Sequence, residues 1–254
     1  MPNLIAHLGI ARGAAERLSN PMINKHLGPF LLGSVSPDIR IITKNRRDDT
    51  HFVDLNFQHW GAGIKGLFNA HPTLADSKNL NDATKAFIVG YASHLLVDEL
   101  WVLDFYRPYF GNRDFYPETL FGDVMDRALQ LELDRRENEI IGDIRALKTD
   151  INYASNDVKV AFIDEETMVD WKIWIEGMLD WEFSWGRLEF MARRVASRHT
   201  GNAYTKVKTI VDDFLNSIDN SMDNIYRIIP SENIELYREK NIQQIINFAE
   251  EYLA

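Results

Sequence analysis

The chain has 254 residues, is 45% hydrophobic and 26% charged, and contains no cysteine. This length and composition are those of a folded protein with a substantial core, and the missing cysteines exclude disulfide frameworks, cysteine zinc sites and thiol chemistry. The formal net charge is -10, which argues against a general nucleic-acid-binding protein.

Apolar residues recur at helical spacing along almost the whole chain. The spacing predicts helices over residues 3–18, 21–35, about 51–70, 82–106, 117–147, 164–198, 203–228 and 231–253. Residues 40–50 are predicted as a polar loop and residues 148–163 as a loop or a short strand pair, while Arg107-Pro108 is expected to end the fourth helix. Alternating strand pattern is scarce. We therefore predict one all-α domain over residues 1–254, a multi-helix bundle.

Targeting and membrane signals are not evident in the sequence. The N-terminal residues carry no positively charged region ahead of an apolar stretch, and no run of about 18 uncharged apolar residues occurs. We expect a cytoplasmic protein without a transmembrane segment.

The helix predicted over residues 82–106 is apolar on nearly every face between Ala86 and Val97. A helix of that kind is buried on all sides, so it is expected at the centre of the bundle. His94 and Asp98 lie four residues apart on one face of this helix. A buried ionised aspartate needs a partner, and either a divalent cation or a simple His–Asp hydrogen bond would provide one.

Three further residues of metal-ligand type stand near helix starts or on an apolar stripe. His7 lies on the apolar face of the first helix, Asp38 follows Pro37 in a turn, and His51 follows a charged loop. Each also has a simpler reading, as a core histidine, a turn residue or a surface histidine. Together with His94 and Asp98 they form a ligand set of the kind that catalytic zinc or iron uses.

Four segments carry a family resemblance: Met-Pro-Asn-Leu-Ile-Ala-His7, Leu-Gly-Ser-Val-Ser-Pro-Asp38, Thr-His51-Phe and Gly-Tyr-Ala-Ser-His94-Leu-Leu-Val-Asp98. In this order they resemble the zinc-dependent phospholipase C family, over about residues 1–105. That family is all-α, includes secreted bacterial phospholipases C, and has the P1-type nucleases among its wider relatives.

The resemblance implies a set of metal ligands. Asp38, His51, His94 and Asp98 match the ligands of the family's best-buried zinc, and His7 matches the ligand of a neighbouring zinc that Asp98 would bridge. Asp38 would also be catalytic, orienting the attacking water. The family's later Pro-x-His and His-x-x-x-Glu ligands have no counterpart here. We therefore expect one or two zinc ions, with iron, manganese or nickel as alternatives.

The function implied is metal-dependent hydrolysis of a phosphate ester, either a phosphodiester or a phospholipid head group, by a metal-activated water. The partner would be a small phosphate-ester or lipid-type substrate. A basic loop, formed by Arg40, Lys44, Arg46 and Arg47, could hold its phosphate. The alternative is a non-catalytic helical binding protein with a structural metal. It would bind a partner through the tryptophan-rich helix containing Trp171, Trp174, Trp181 and Trp185, although core packing is the commoner explanation of such a stripe.

Overall fold

The computed structural model describes residues 1–152, 154, 157–197 and 199–254, and within these ranges it contains helices and no strand. The all-α prediction is thus confirmed. The α-helices of the described chain are α1 (Leu4–Leu18), α2 (Pro21–Lys25), α3 (Leu27–Gly33), α4 (Arg40–Thr43), α5 (Asp48–His51), α6 (Ala62–Ala70), α7 (Asp82–Trp101), α8 (Thr119–Ile141), α9 (Ile144–Asn152), α10 (Glu165–Leu179), α11 (Arg187–Ala196), α12 (Ala203–Asn216), α13 (Ile218–Ile228) and α14 (Glu232–Leu253).

Helix α7 is the buried centre of the bundle, as its apolar sequence predicted. It packs against α3 most extensively and also against α14, α1 and α6. By length and composition the segment Asp82–Phe110 could cross a membrane, but 94% of its most apolar stretch is buried inside the molecule. Such burial is typical of the core helix of a bundle.

The prediction that Arg107-Pro108 ends this helix is wrong. The chain continues from α7 as a π-helix over Val102–Phe110, with Pro108 inside it. In an α-helix a proline ring clashes with the carbonyl four residues earlier, whereas the wider π turn changes that spacing. The extension keeps Val102, Phe105 and Phe110 buried, and it positions Arg107 against the segment that follows α5.

Several predicted helix limits are also wrong, because local breaks divide the longer segments. Gly142 has a positive φ of 65° and separates α8 from α9, which occupies part of the segment predicted as a loop or strand pair. The other predicted helices over 21–35, 164–198 and 203–228 each contain two shorter helices. Tyr153, Ser155, Asn156 and Arg198 lie outside the described residues.

The chain between residues 40 and 70 differs most from the prediction. The expected polar loop contains α4 and α5, separated by Lys44 in the left-handed region. His51 is the last residue of α5 and not the first of a long helix, because Phe52 also adopts a left-handed conformation. A true helix resumes only at α6. His51 therefore lies where α5 ends, and its side chain is buried.

Two glycines set how closely α3 and α7 approach each other. A Cβ at Gly33 would overlap the carbonyl oxygen of Phe87, and a Cβ at Gly90 would overlap the carbonyl oxygen of Phe30. Both contacts are with backbone, which cannot rotate away as a side chain can. The crossing therefore requires glycine on both helices.

We predict that Gly90→Ala destabilises the protein by about 3 kcal/mol or more, because the added methyl must separate two packed backbones. Gly177→Ala is the control, since a Cβ at Gly177 meets nothing within 4 Å. There the better helix propensity of alanine should leave stability unchanged or raise it by up to about 1 kcal/mol. Urea unfolding measures both changes. Equal stability of the two variants would contradict the close crossing.

Candidate metal centre

The fold brings all five predicted site residues together from four separate elements. His7 comes from α1, Asp38 from the short 3₁₀ turn Ser36–Ile39, His51 from the end of α5, and His94 and Asp98 from α7. They form two overlapping trios that share His94: His7, His94 and Asp98, and Asp38, His51 and His94. Within each trio the potential ligand atoms lie within 4.8 Å of one another. Asp38 is partly exposed and the other four are buried.

The Asp98 carboxylate is the meeting point of the three imidazoles. Its Oδ1 lies 3.5 Å from His7 Nε2, and its Oδ2 lies 3.2 Å from His51 Nε2 and 3.8 Å from His94 Nε2. The rings of His7 and His94 stack in parallel with centroids 3.7 Å apart. Two imidazolium cations would repel each other strongly at that separation.

The backbone fixes the tautomer of His94. Its Nδ1 lies 2.9 Å from the carbonyl oxygen of Ser34, and since a carbonyl only accepts, Nδ1 carries the proton. Ser34 follows Gly33 directly, so the glycine crossing places this acceptor. The Nε2 of His94 is left with a lone pair directed at the cluster, as in metal-ligating histidines whose other nitrogen is held by an outer partner.

The Thr50 hydroxyl fixes the tautomer of His51 in a similar way. The Thr50 hydroxyl lies 3.2 Å from the carbonyl oxygen of Arg47, to which it donates. Its oxygen is thus free to accept from His51 Nδ1, which lies 3.0 Å away. His51 Nε2 then also presents a lone pair to Asp98.

In these orientations the Nε2 atoms of His51 and His94 face the oxygens of Asp98, and all of them are hydrogen-bond acceptors. The Nε2 atoms of His7, His51 and His94 are buried and make no well-aligned hydrogen bond with any described residue. Buried polar atoms normally have a partner. At His51 and His94, a lone pair facing a carboxylate oxygen requires a cation between them, either a proton or a metal ion. The nitrogen and oxygen donors present fit zinc.

The electrostatics of the cluster favour a metal ion over a proton at His94. Burial, together with the neighbouring His7, holds the pKa of His94 well below its usual value. Burial alone would raise the pKa of Asp98, but the close approach of the His51, His7 and His94 imidazoles brings that pKa well below its usual value. The site therefore presents a neutral imidazole beside an ionised carboxylate, which are the forms that bind metal.

One residue of the predicted basic loop reaches the cluster. Arg47 Nη2 lies 3.2 Å from Asp98 Oδ2, and its Nη1 donates to the carbonyl oxygen of Val53. The Arg46 side chain is 81% exposed and pairs with Asp48, Lys44 is exposed, and Arg40 is half-buried. Arg47 thus supplies a cation at the edge of the buried site.

Neighbouring carboxylates that could have been ligands have other roles. Glu99 lies next to Asp98 in sequence, but it accepts hydrogen bonds from the backbone N–H groups of Gly61 and Gly63. It therefore caps the start of α6, which lacks a cap from its own N-cap side chain. Asp104 pairs with Lys240 at 2.7 Å.

Asp134 on α8 is a supporting residue that sequence reasoning missed. It is completely buried, and its Oδ1 accepts a hydrogen bond from the backbone N–H of Ala6 at 3.1 Å. It thereby caps the first turn of α1, where Asn3 makes no side-chain cap, and so positions His7. The sequence does contain a signal of a buried polar face on α8. Polar residues recur there at three- and four-residue spacing: Asp126, Gln130, Asp134 and Glu137.

Residues 6–101 match the model of the family described as zinc dependent phospholipase C. The matched segment contains His7, Asp38, His51, His94 and Asp98, and it confirms the family resemblance predicted from the sequence. No curated protein and no solved structure matches the chain.

The adjacent carboxylates Asp98 and Glu99 provide a matched pair of variants. We predict that Asp98→Asn reduces zinc affinity at least tenfold, because it removes the charge shared by the three imidazoles. Glu99→Gln should keep the zinc content and lower the thermal midpoint, because its contacts are with α6. Elemental analysis of folded protein, with circular dichroism as the folding control, measures both. Equal zinc contents would mean that Asp98 is not a ligand.

The buried carboxyl group of Asp134 makes the stability of the protein depend on pH. Burial raises the pKa of Asp134 from its ordinary value of 3.8 to about 6. A raised carboxyl pKa contributes stability that is present below pH 3.8 and is lost as pH rises through about 6. Asparagine cannot ionise, so Asp134→Asn abolishes this loss of stability. Its amide oxygen can still accept the hydrogen bond from the Ala6 N–H. The stability of the variant relative to the wild-type protein should therefore increase by about 1 to 2 kcal/mol between pH 5 and pH 7.5.

Urea unfolding in the presence of a chelator at these two pH values measures the difference. Because every other titrating group is common to both proteins, the difference isolates residue 134. A constant difference, or one that shrinks as pH rises, would refute the raised pKa.

Proposed function

We propose that the chain is a zinc-dependent phosphoric ester hydrolase acting on phospholipid head groups or related phosphodiesters, as the match of residues 6–101 to the zinc dependent phospholipase C family model suggests. The observation that supports this best is the convergence of three buried imidazole Nε2 atoms, without hydrogen-bond partners in the described chain, on the Asp98 carboxylate. A purely structural cluster would be expected to satisfy those atoms within the protein.

His7, Asp38, His51, His94 and Asp98 would hold one or two zinc ions. When bound, zinc supplies a Lewis acid that activates water and neutralises charge on the phosphoryl oxygens. Because four of these ligands are buried while Asp38 is partly exposed, the open side of the cluster is the side of Asp38. A substrate would approach there.

The roles of the protein groups follow from this position. Asp38 is the carboxylate available to accept a hydrogen bond from an incoming water and to orient it. Arg47, at the edge of the cluster, balances the charge of Asp98 and can contribute a charge-assisted hydrogen bond to a phosphate. His94 and His51 are held by Ser34 and Thr50 and keep the geometry fixed while substrate binds.

A lipid-type substrate is favoured by the segment between His51 and α6. This segment presents Leu55 and Trp60, which are 51% and 49% exposed. Arg107 donates to the carbonyl oxygen of Leu55 at 2.7 Å and lies over the Phe57 ring, so the segment is held against the π-helix. Exposed apolar side chains in the segment that follows His51 would suit a substrate with both an apolar part and a phosphate.

The experiment is a hydrolysis assay of the zinc-loaded full chain with three substrates: p-nitrophenyl phosphate, bis-p-nitrophenyl phosphate and phosphatidylcholine micelles. We expect release of a water-soluble phosphate ester from the micelles, at least a hundredfold loss on chelation, and recovery on adding zinc. His94→Ala should lose both zinc and activity, whereas His59→Ala, an exposed histidine outside both trios, should keep both.

Hydrolysis of the soluble diester alone would keep the reaction class and replace the lipid by a soluble phosphodiester. If zinc-loaded protein cleaves none of the three between pH 5 and pH 9, the hydrolase proposal is wrong. The metal would then be structural.

A further inference from the structure

A cavity lies outside the segment that matches the family model. It has a volume of about 700 Å³, opens to solvent, and is lined by the residues before α8 and by parts of α8, α12 and α13. Its lining begins at Phe115 and includes none of the five residues of the metal cluster. The cavity therefore needs its own explanation.

Aromatic rings form much of its wall. Phe115, Tyr116, Phe121 and Phe214 all line the cavity. Tyr116 stacks on Phe110 with centroids 5.3 Å apart and lies 6.0 Å from the ring of Phe121. Phe115 and Phe121 are 44% and 42% exposed, so their faces remain available to a ligand at the entrance.

The charged residues that line the cavity are all acidic. Glu118 and Asp213 line the cavity, and no lysine, arginine or histidine does. Neither carboxylate forms an ion pair with a described residue, since every such pair in the described chain involves other groups. A phosphate or carboxylate ligand would meet uncompensated negative charge here. A cation would be attracted both by the carboxylates and by the aromatic faces.

A buried phenol adds a polar contact point. The Tyr116 side chain is 3% exposed, and its hydroxyl has no hydrogen-bond partner among the described residues. A buried hydroxyl without a partner is costly, and a ligand N–H group could supply one. The mostly apolar cavity thus contains a small number of polar groups, which is typical of small-molecule binding sites.

We propose that this cavity binds an organic cation with an apolar body, of the arylammonium or alkylammonium class. The ammonium group would lie against the aromatic rings near Glu118 and Asp213, and its N–H would donate to the Tyr116 hydroxyl. This proposal is independent of the hydrolase function, because it uses no residue of the metal cluster.

The test is calorimetric titration of the full chain with three phenyl compounds of similar size: phenethylammonium, 2-phenylethanol and benzenesulfonate. We expect phenethylammonium to bind at least tenfold more tightly than the neutral alcohol and the sulfonate to show no binding. Equal affinity for the cation and the alcohol, tighter binding of the sulfonate, or no binding of the cation would each overturn the proposal.

Variants locate the site. The double variant Glu118→Gln, Asp213→Asn should weaken phenethylammonium binding at least fivefold, and Phe121→Ala should weaken it at least threefold. These side chains are exposed, so the variants are expected to fold. Asp212→Asn is the control, because Asp212 pairs with Lys208 at 2.5 Å and does not line the cavity. A loss in the control equal to that in the double variant would place the cation elsewhere.

The phenol has a separate readout. Tyr116→Phe should weaken phenethylammonium binding about threefold or more and leave phenethyltrimethylammonium binding unchanged, since the latter has no N–H to donate. Because the substitution removes a hydroxyl that has no partner in the described chain, it should not lower the thermal midpoint of the free protein. Equal loss for both ligands would refute the hydrogen bond.

Discussion

The buried carboxylate of Asp98 is the constraint on which the arrangement of this molecule depends. It lies in the most buried helix of the bundle, where an ion without partners would cost several kcal/mol. Three imidazoles and the Arg47 guanidinium surround it, each from a different part of the first hundred residues. The elements that carry these groups must therefore pack around α7. The geometry of the site and the packing of the core therefore depend on the same contacts.

Backbone contacts fix the positions of the side chains in the candidate metal centre. The glycine crossing lets α3 approach α7 until the Ser34 carbonyl reaches His94, and this contact fixes which nitrogen faces the cluster. On the opposite side, Asp134 holds the first turn of α1 and so sets the position of His7. Rigid elements and outer-shell contacts of this kind are what a metal site needs to keep its geometry.

Local sequence pattern predicted the helices, the burial of α7 and the ligand types, because helical spacing and a polar pair in an apolar run are visible within a few residues. The contacts of Arg47, Glu99 and Asp134 were not visible in this way. Asp134 meets Ala6 across 128 positions of the chain, and only the tertiary fold decides such a contact. The short helices around His51 could not be predicted from the sequence for a related reason. Left-handed Lys44 and Phe52 have no glycine signal, so neighbouring packing determines those turns.

Electrostatics divides the molecule into regions for ligands of opposite charge. With a net charge of -10, the protein repels anionic substrates overall, so a phosphate ester can be held only where local positive charge exceeds this background. The edge of the candidate metal centre would meet that condition through Arg47 and a bound zinc ion. The cavity lined by Glu118 and Asp213 has no positive group in its lining. A phosphate substrate of the proposed hydrolase would thereby be directed to the cluster, and the aromatic cavity would be left to ligands that carry positive charge or none.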